Sequence, residues 1–300
     1  MEDNIIEIRN LSLKHENTLL TDNVSLDIKR GQTTGLVGES GSGKTLTALS
    51  IIRLLPHNIL ISSGNILFNS EDDSSCLLES LSEKEMNHIR GGKISMIFQE
   101  PMTSLNPSMT CGKQIIEAIL RHNSISRKEA AEQTKNIIGE MKLPDPERIF
   151  RSWPHQLSGG ERQRVMIAMA LSTSPEILIA DEPTTALDVT VQKNILDLLN
   201  ELHLRYNLSI LFITHDLMVL KQIADHITVI NQGKIVESGL AEKILNQPEQ
   251  VYTRALIACK PKLTGNPVRL PTISDFISER EFLLSSGNEK VTHSRKEPLL

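Results

Sequence analysis

The sequence predicts an α/β fold built on a parallel sheet, and three observations carry that prediction. Apolar runs at Gly35-Leu36-Val37, Ile177-Leu178-Ile179-Ala180 and Leu208 to Ile213 have the length and content of strands buried on both faces. Helical stripes follow them, first Leu46 to Ile52, later Val191, Ile195, Leu198, Leu199 and Leu202. Between the first strand and its helix stands Gly38-Glu39-Ser40-Gly41-Ser42-Gly43-Lys44-Thr45, a full match to the P-loop pattern G-x-x-x-x-G-K-[ST]. At average residue usage, a random chain of this length carries that pattern roughly once in a hundred.

Taken in order, the chain opens with half-buried alternation at Ile6, Ile8, Leu11 and Leu13, then at Val24, Leu26 and Ile28. Such alternation suits an antiparallel pair with one wet face. Lys29-Arg30-Gly31-Gln32 turns the chain into the P-loop strand. Glycines in the loop admit unusual dihedrals and bring backbone N–H groups close to a phosphate, and the following helix N-terminus adds partial positive charge. Lys44 would reach the β- and γ-phosphates of ATP, and the Thr45 hydroxyl would hold Mg²⁺. Ser70 to Ser75 is polar and acidic and reads as a solvated loop, and Lys93 to Phe98 as a strand ending at Gln99. From Thr110 to about Lys142 the pattern is helical, and no strand-like run occurs between about 101 and 172, which predicts a helical insertion. Ile227 to Ile230 and Lys234 to Val236 flank the turn Asn231-Gln232-Gly233 as a hairpin. Beyond about residue 245 prolines break the pattern, and the last twenty residues read as poorly ordered. The domain reading is therefore one P-loop domain over 1–245, with its helical part at about 101–172, and a C-terminal extension over 246–300.

Composition narrows the function classes. With 32 basic and 37 acidic side chains the formal charge is −5, and aromatics are 3% of residues. Neither a basic footprint nor a base-stacking platform for nucleic acid is present. Cys76, Cys111 and Cys259 stand far apart and read as reduced thiols. Met1-Glu2-Asp3-Asn4 lacks the basic and apolar regions of a signal peptide, and no run approaches a membrane span. A membrane role would therefore come through a partner.

Four polar groups fall at strand carboxyl ends, where ligands gather in open α/β sheets. They are the P-loop, Gln99, Asp181-Glu182 and Thr214-His215. Asp181 is placed to hold Mg²⁺, and Glu182 to act as general base on the attacking water. His215 would meet the γ-phosphate and that water, and Gln99 would complete the metal and water shell. Ser158-x-x-Glu161 is a helix capping box, yet the box leaves Gly159 and Gly160 unexplained unless their bare N–H groups approach an anion.

These segments, with Leu157 to Glu161, Asp181-Glu182-Pro183, Ala186-Leu187-Asp188 and His215, resemble in order the motifs of ATP-binding cassette (ABC) ATPases. The resemblance covers about 5–245. It implies an ABC ATPase fold with an N-terminal antiparallel β subdomain. It further implies that two such domains face head to tail, each ATP lying between one P-loop and the other domain's Ser158-Gly159-Gly160. A narrower resemblance joins Ile89-Arg90-Gly91, Met96 to Pro107, Pro154 to Gly160 and Val251 to Leu256 to ATPase subunits of dipeptide, oligopeptide and nickel importers. This implies a peripheral protein on the cytoplasmic face of the inner membrane. Its partners would be two permeases, contacted by the segment after Gln99, and a second ATPase, either a paralogue or a copy, with an extracytoplasmic substrate-binding protein in the same system. A soluble ABC ATPase working without a permease is the alternative, and a small-molecule kinase is disfavoured by the signature and the Glu182–His215 pairing. Three departures stand out. His15 occupies the usual adenine-stacking aromatic position, Glu161 replaces the common Gln, and only Cys259 is present where some relatives carry a cysteine cluster.

Overall fold

The computed structural model describes residues 4–72, 74–99, 104–185 and 187–259. The terminal twenty residues, Met102-Thr103 and Ala186 lie outside them.

Two sheets organise the chain. The first has the order β2-β1-β4-β5, formed by β1 (Asn4–His15), β2 (Thr18–Lys29), β4 (Ile59–Asn69) and β5 (Ser75–Leu77), all pairs antiparallel. The second has the order β10-β9-β3-β8-β7-β6. Its members are β3 (Thr33–Val37), β6 (Ile94–Ile97), β7 (Ile177–Asp181), β8 (Ser209–Thr214), β9 (His226–Asn231) and β10 (Lys234–Leu240). All its pairs are parallel except β9–β10, which forms the expected hairpin.

Side-chain alternation on the central strands feeds two cores. Leu36, Ile177, Ile179, Leu211 and Ile213 join the core beneath the antiparallel sheet, and Val37, Leu178, Ala180, Ile210 and Phe212 face the other. A strand buried on both faces has no polar side to show, which is why these runs read as continuously apolar. Helix α1 (Lys44–Ile51) packs into the first core through Ala48 and Ile51, as does α2 (Glu83–Ile89) through Met86 and Ile89.

The helical insertion consists of α3 (Cys111–His122), α4 (Arg127–Glu140), α5 (Pro146–Arg151) and α6 (Gly159–Leu171). The helical pattern from Thr110 to about Lys142 forms two helices. The break comes at Asn123 in extended backbone, and Ser126 with Glu129 forms a capping box that starts α4. Helix α7 (Val189–Tyr206) follows β7, and the short α8 (Leu217–Leu220) follows β8.

Regular structure continues past residue 245, where prolines break the sequence pattern. Helix α9 (Ala241–Asn246) and, after Pro248, helix α10 (Val251–Ala258) are both present. Pro248 breaks α9 from α10 but precedes the latter, where a missing N–H costs nothing. The Glu237 carboxylate accepts from the N–H groups of Glu249 and Gln250 at 2.7 and 3.1 Å and so anchors the start of α10. The acidic loop after Asn69 is less solvated than its composition suggests, because Ser70 is buried and bonds Glu176.

Candidate nucleotide site

The register of the central sheet sets its carboxyl ends level. Val37 lies beside Thr214, Asp181 beside Ile213 and Ile97 beside Ala180. Whatever follows these strands therefore meets above one edge of the sheet.

The P-loop is folded around its own lysine. Lys44 Nζ donates to the carbonyls of Gly38 and Glu39 at 2.8 and 2.7 Å, two of the three bonds an ammonium can make. Burial pushes the Lys44 pKa down, against the pull of Glu182, Asp181 and Glu39. Glycine is required where backbone is close. A Cβ on Gly38 would lie 2.0 Å from the Ile230 carbonyl oxygen, and Gly43 holds φ +100° with Thr21 close by. Gly41, at φ +78°, has nothing within 4 Å of its Cβ position and leaves that side of the loop open. Ser42 Oγ is buried with no partner. Ser40 completes the loop's exposed rim.

At the end of β7, Asp181 is buried and its carboxylate accepts from the Thr45 hydroxyl. Among the described residues its Oδ1 is buried without a hydrogen-bond partner, and burial raises its pKa. A hydroxyl and a buried carboxylate oxygen side by side form a hard-oxygen donor set that fits Mg²⁺.

Glu182 is the focus of the site. It adopts φ +46°, the left-handed region that non-glycine residues rarely occupy, and its side chain is 10% exposed. Three groups converge on its Oε2. Thr185 Oγ1 donates at 2.7 Å, His215 Nδ1 at 3.2 Å and Gln99 Nε2 at 3.4 Å. An ionised carboxylate only accepts, so Nδ1 of His215 carries the proton in this pair. Among the described residues Oε1 has no hydrogen-bond partner.

The fold thus brings together the P-loop, Gln99, Asp181, Glu182 and His215. It does not bring the rest. His15 ends β1, half-buried, paired with Thr18 and Ile59, and makes no hydrogen bond to the loop among the described residues. Ser158, Gly159 and Gly160 open α6, where Ser158 and Glu161 form a capping box. A Cβ on Gly159 or Gly160 would meet Leu187 or Val191 within 4 Å, not a P-loop residue. A Cβ on Gly160 would sit 2.9 Å from Val191 Cγ1, so close packing on α7 is a second reason for that glycine.

Three contributing residues escaped the sequence reading. Thr185 has no pattern of its own beyond its place three residues after Glu182. Arg148 pairs with Glu161 Oε1, which with the Ser158 cap holds the Glu161 carboxylate below its usual range and neutralises the departure at this position. Tyr252 reaches the P-loop from α10, its hydroxyl accepting from Glu39 N–H at 3.3 Å.

Comparison with known proteins agrees with this geometry. The ABC transporter family model matches residues 21–185, more than half of the 300 residues. The chain is 46% identical over 268 residues to the peptidoglycan transport ATP-binding protein YejF of Agrobacterium fabrum, covering 88% of this chain and 48% of that protein. It is 44% identical over 281 residues to the glutathione import ATP-binding protein GsiA of Escherichia coli strain K12, covering 90% and 45%. The chain therefore spans about half the length of these curated relatives. Among solved structures, the dimeric post-hydrolysis state of the ATP-binding cassette MJ0796 bound to ADP and Pi superposes with a TM-score of 0.68 at 27% identity. It covers 79% of this chain and 98% of that one. The family match, running from β2 through Thr185, takes in both the P-loop and the carboxylates it faces, and on that ground this chain belongs to the ABC transporter family.

Proposed function

We propose that this chain binds ATP at Gly38–Thr45, hydrolyses it, and thereby powers an ABC importer of peptides or related small solutes. The observation that carries the hydrolytic part is Glu182, held at φ +46° with three donors on Oε2 and no hydrogen-bond partner on Oε1 among the described residues. Glu182 would take a proton from water as the oxygen attacks the γ-phosphorus, and the bond to the bridging oxygen breaks to give ADP and phosphate. His215, Thr185 and Gln99 orient the carboxylate, and Lys44 binds the phosphates. Thr45 and Asp181, with Gln99 nearby, would hold Mg²⁺, which supplies charge neutralisation on the phosphate oxygens when bound.

Head-to-tail pairing with a second ATPase, paralogue or copy, is supported by the surroundings of Gly159 and Gly160, where an added Cβ would meet Leu187 and Val191 and not the P-loop, and by the dimeric MJ0796 cassette. His15 would border the adenine. The import direction and the peptide-like substrate class rest on the names of YejF and GsiA. Attachment to permeases, as a peripheral protein of the inner membrane's cytoplasmic face, is supported by an apolar cleft of about 330 Å³. Met96, Phe98, Ala118, Met166 and Met169 line it beside Gln99, and Phe98 is 41% exposed. No helix of the described residues is long and apolar enough to cross a membrane. The extension beyond 245 and a substrate-binding protein complete the proposed system.

Gentle detergent purification of the tagged protein from its own cells tests this reading. Two multi-span proteins and a second ATPase should come with it, and ATP turnover should be lost in Lys44→Ala. Only soluble partners, with the ATPase active alone, would replace the importer by a permease-free ABC ATPase.

A further inference from the structure

The C-terminal helix α10 touches the nucleotide site from behind. It packs on β10 and on α8, the helix that begins directly after His215 and Asp216. Its placement does not depend on apolar contact alone, because Glu237 of β10 accepts from two N–H groups at its start. That anchor aims Tyr252, which is only 7% exposed, at the P-loop.

Both backbone groups of Glu39 are thereby held. Its carbonyl accepts from Lys44 Nζ at 2.7 Å and from Ser42 N–H at 3.2 Å, and its N–H donates to the Tyr252 hydroxyl at 3.3 Å. The Gly38–Glu39 peptide, whose Gly38 carbonyl accepts from Lys44 Nζ at 2.8 Å, is therefore fixed at its N–H by a residue more than two hundred positions away. Burial keeps the Tyr252 phenol protonated through the neutral range, so the contact is a neutral hydrogen bond.

We propose that Tyr252 is a positioning residue for ATP, and that α10 serves as a brace which holds the P-loop in its binding shape. The proposal rests on the reading that the P-loop binds ATP. Without the hydroxyl, the Gly38–Glu39 peptide can rotate and Lys44 loses the fixed Gly38 carbonyl, so part of the binding energy is spent on ordering the loop.

The test compares the full chain with Tyr252→Phe and Glu237→Ala by calorimetric titration of Mg-ATP, at a temperature where each is folded. Tyr252→Phe keeps the ring and its packing. It should weaken ATP roughly two- to tenfold, the range of one neutral hydrogen bond, and raise KM by the same factor with kcat unchanged. Glu237→Ala should shift affinity in the same direction by releasing α10, and the double variant should fall short of the product of the two. Unchanged Kd in Tyr252→Phe, with wild type binding normally, overturns the brace while leaving the ATPase reading intact. A wild-type chain that does not bind ATP removes that reading and the brace with it.

Discussion

Asp181 and Glu182 are adjacent in sequence yet do opposite things to the molecule. Asp181 is buried, and desolvation lifts its pKa above the ordinary 3.8. A carboxyl whose folded pKa is raised stabilises the fold below its ordinary pKa, and that contribution is lost as pH rises through the folded value. Burying this carboxylate is thus a cost to the nucleotide-free fold, offset by the Thr45 hydroxyl and, when bound, by a cation. Asp181→Asn should therefore raise the melting temperature of the nucleotide-free protein at pH 7, by about 2–3 °C per ~1 kcal/mol relieved, and abolish Mg²⁺-dependent turnover. A lower melting temperature would contradict the burial argument. Glu182→Gln keeps size and position but loses the base. Turnover should fall by ~10²–10⁴ while ATP affinity stays within about twofold, measured by steady-state kinetics beside equilibrium binding. The pair was legible in the sequence, because four apolar residues before two acids read as a strand end. That Glu182 sits at φ +46° with Thr185 on its oxygen was not, since neither follows from local composition.

Contacts between elements explain features that the linear pattern left open. Glu176, just before β7, ties the β4–β5 connection to the central sheet. It accepts from Ser70 Oγ and Glu71 N–H at 2.6 and 2.7 Å and lies within ion-pair reach of Lys93 and Arg30. With only 11% of its side chain exposed, Glu176→Ala should cost about 2–4 kcal/mol, read from the urea midpoint, because several polar groups lose their shared acceptor. A shift below about 0.5 kcal/mol would class the cluster with ordinary surface pairs. At the start of α6, phosphate approach and packing on Val191 are rival reasons for Gly160. Gly160→Ala should lower turnover under both, and adding Val191→Ala should restore it where packing is the cause. Failure of that rescue would favour anion approach. Sequence alone could see that two glycines at a helix start need a reason. It could not see α7, which the fold brings alongside.

At the scale of the whole molecule, one chain holds the P-loop and its facing carboxylates together, while Gly159 and Gly160 lie against Leu187 and Val191. The head-to-tail model predicts that Ser158→Arg abolishes turnover without affecting nucleotide binding by the isolated chain, and that ATP no longer shifts its sedimentation toward a dimer. Normal turnover in that variant would defeat the model. By itself the sequence determined the α/β class, the P-loop, the order of the strand-end motifs and the family resemblance. Each of these is local: a periodicity of two or 3.6, a run of glycines, a polar residue after an apolar run. Only the tertiary structure decided that Thr185, His215 and Gln99 meet on one oxygen, that Glu176 clamps two sheets, and that α10 exists and reaches Glu39. These contacts join residues tens to hundreds of positions apart. Sheet register and packing set such distances, and no local pattern in the chain records them.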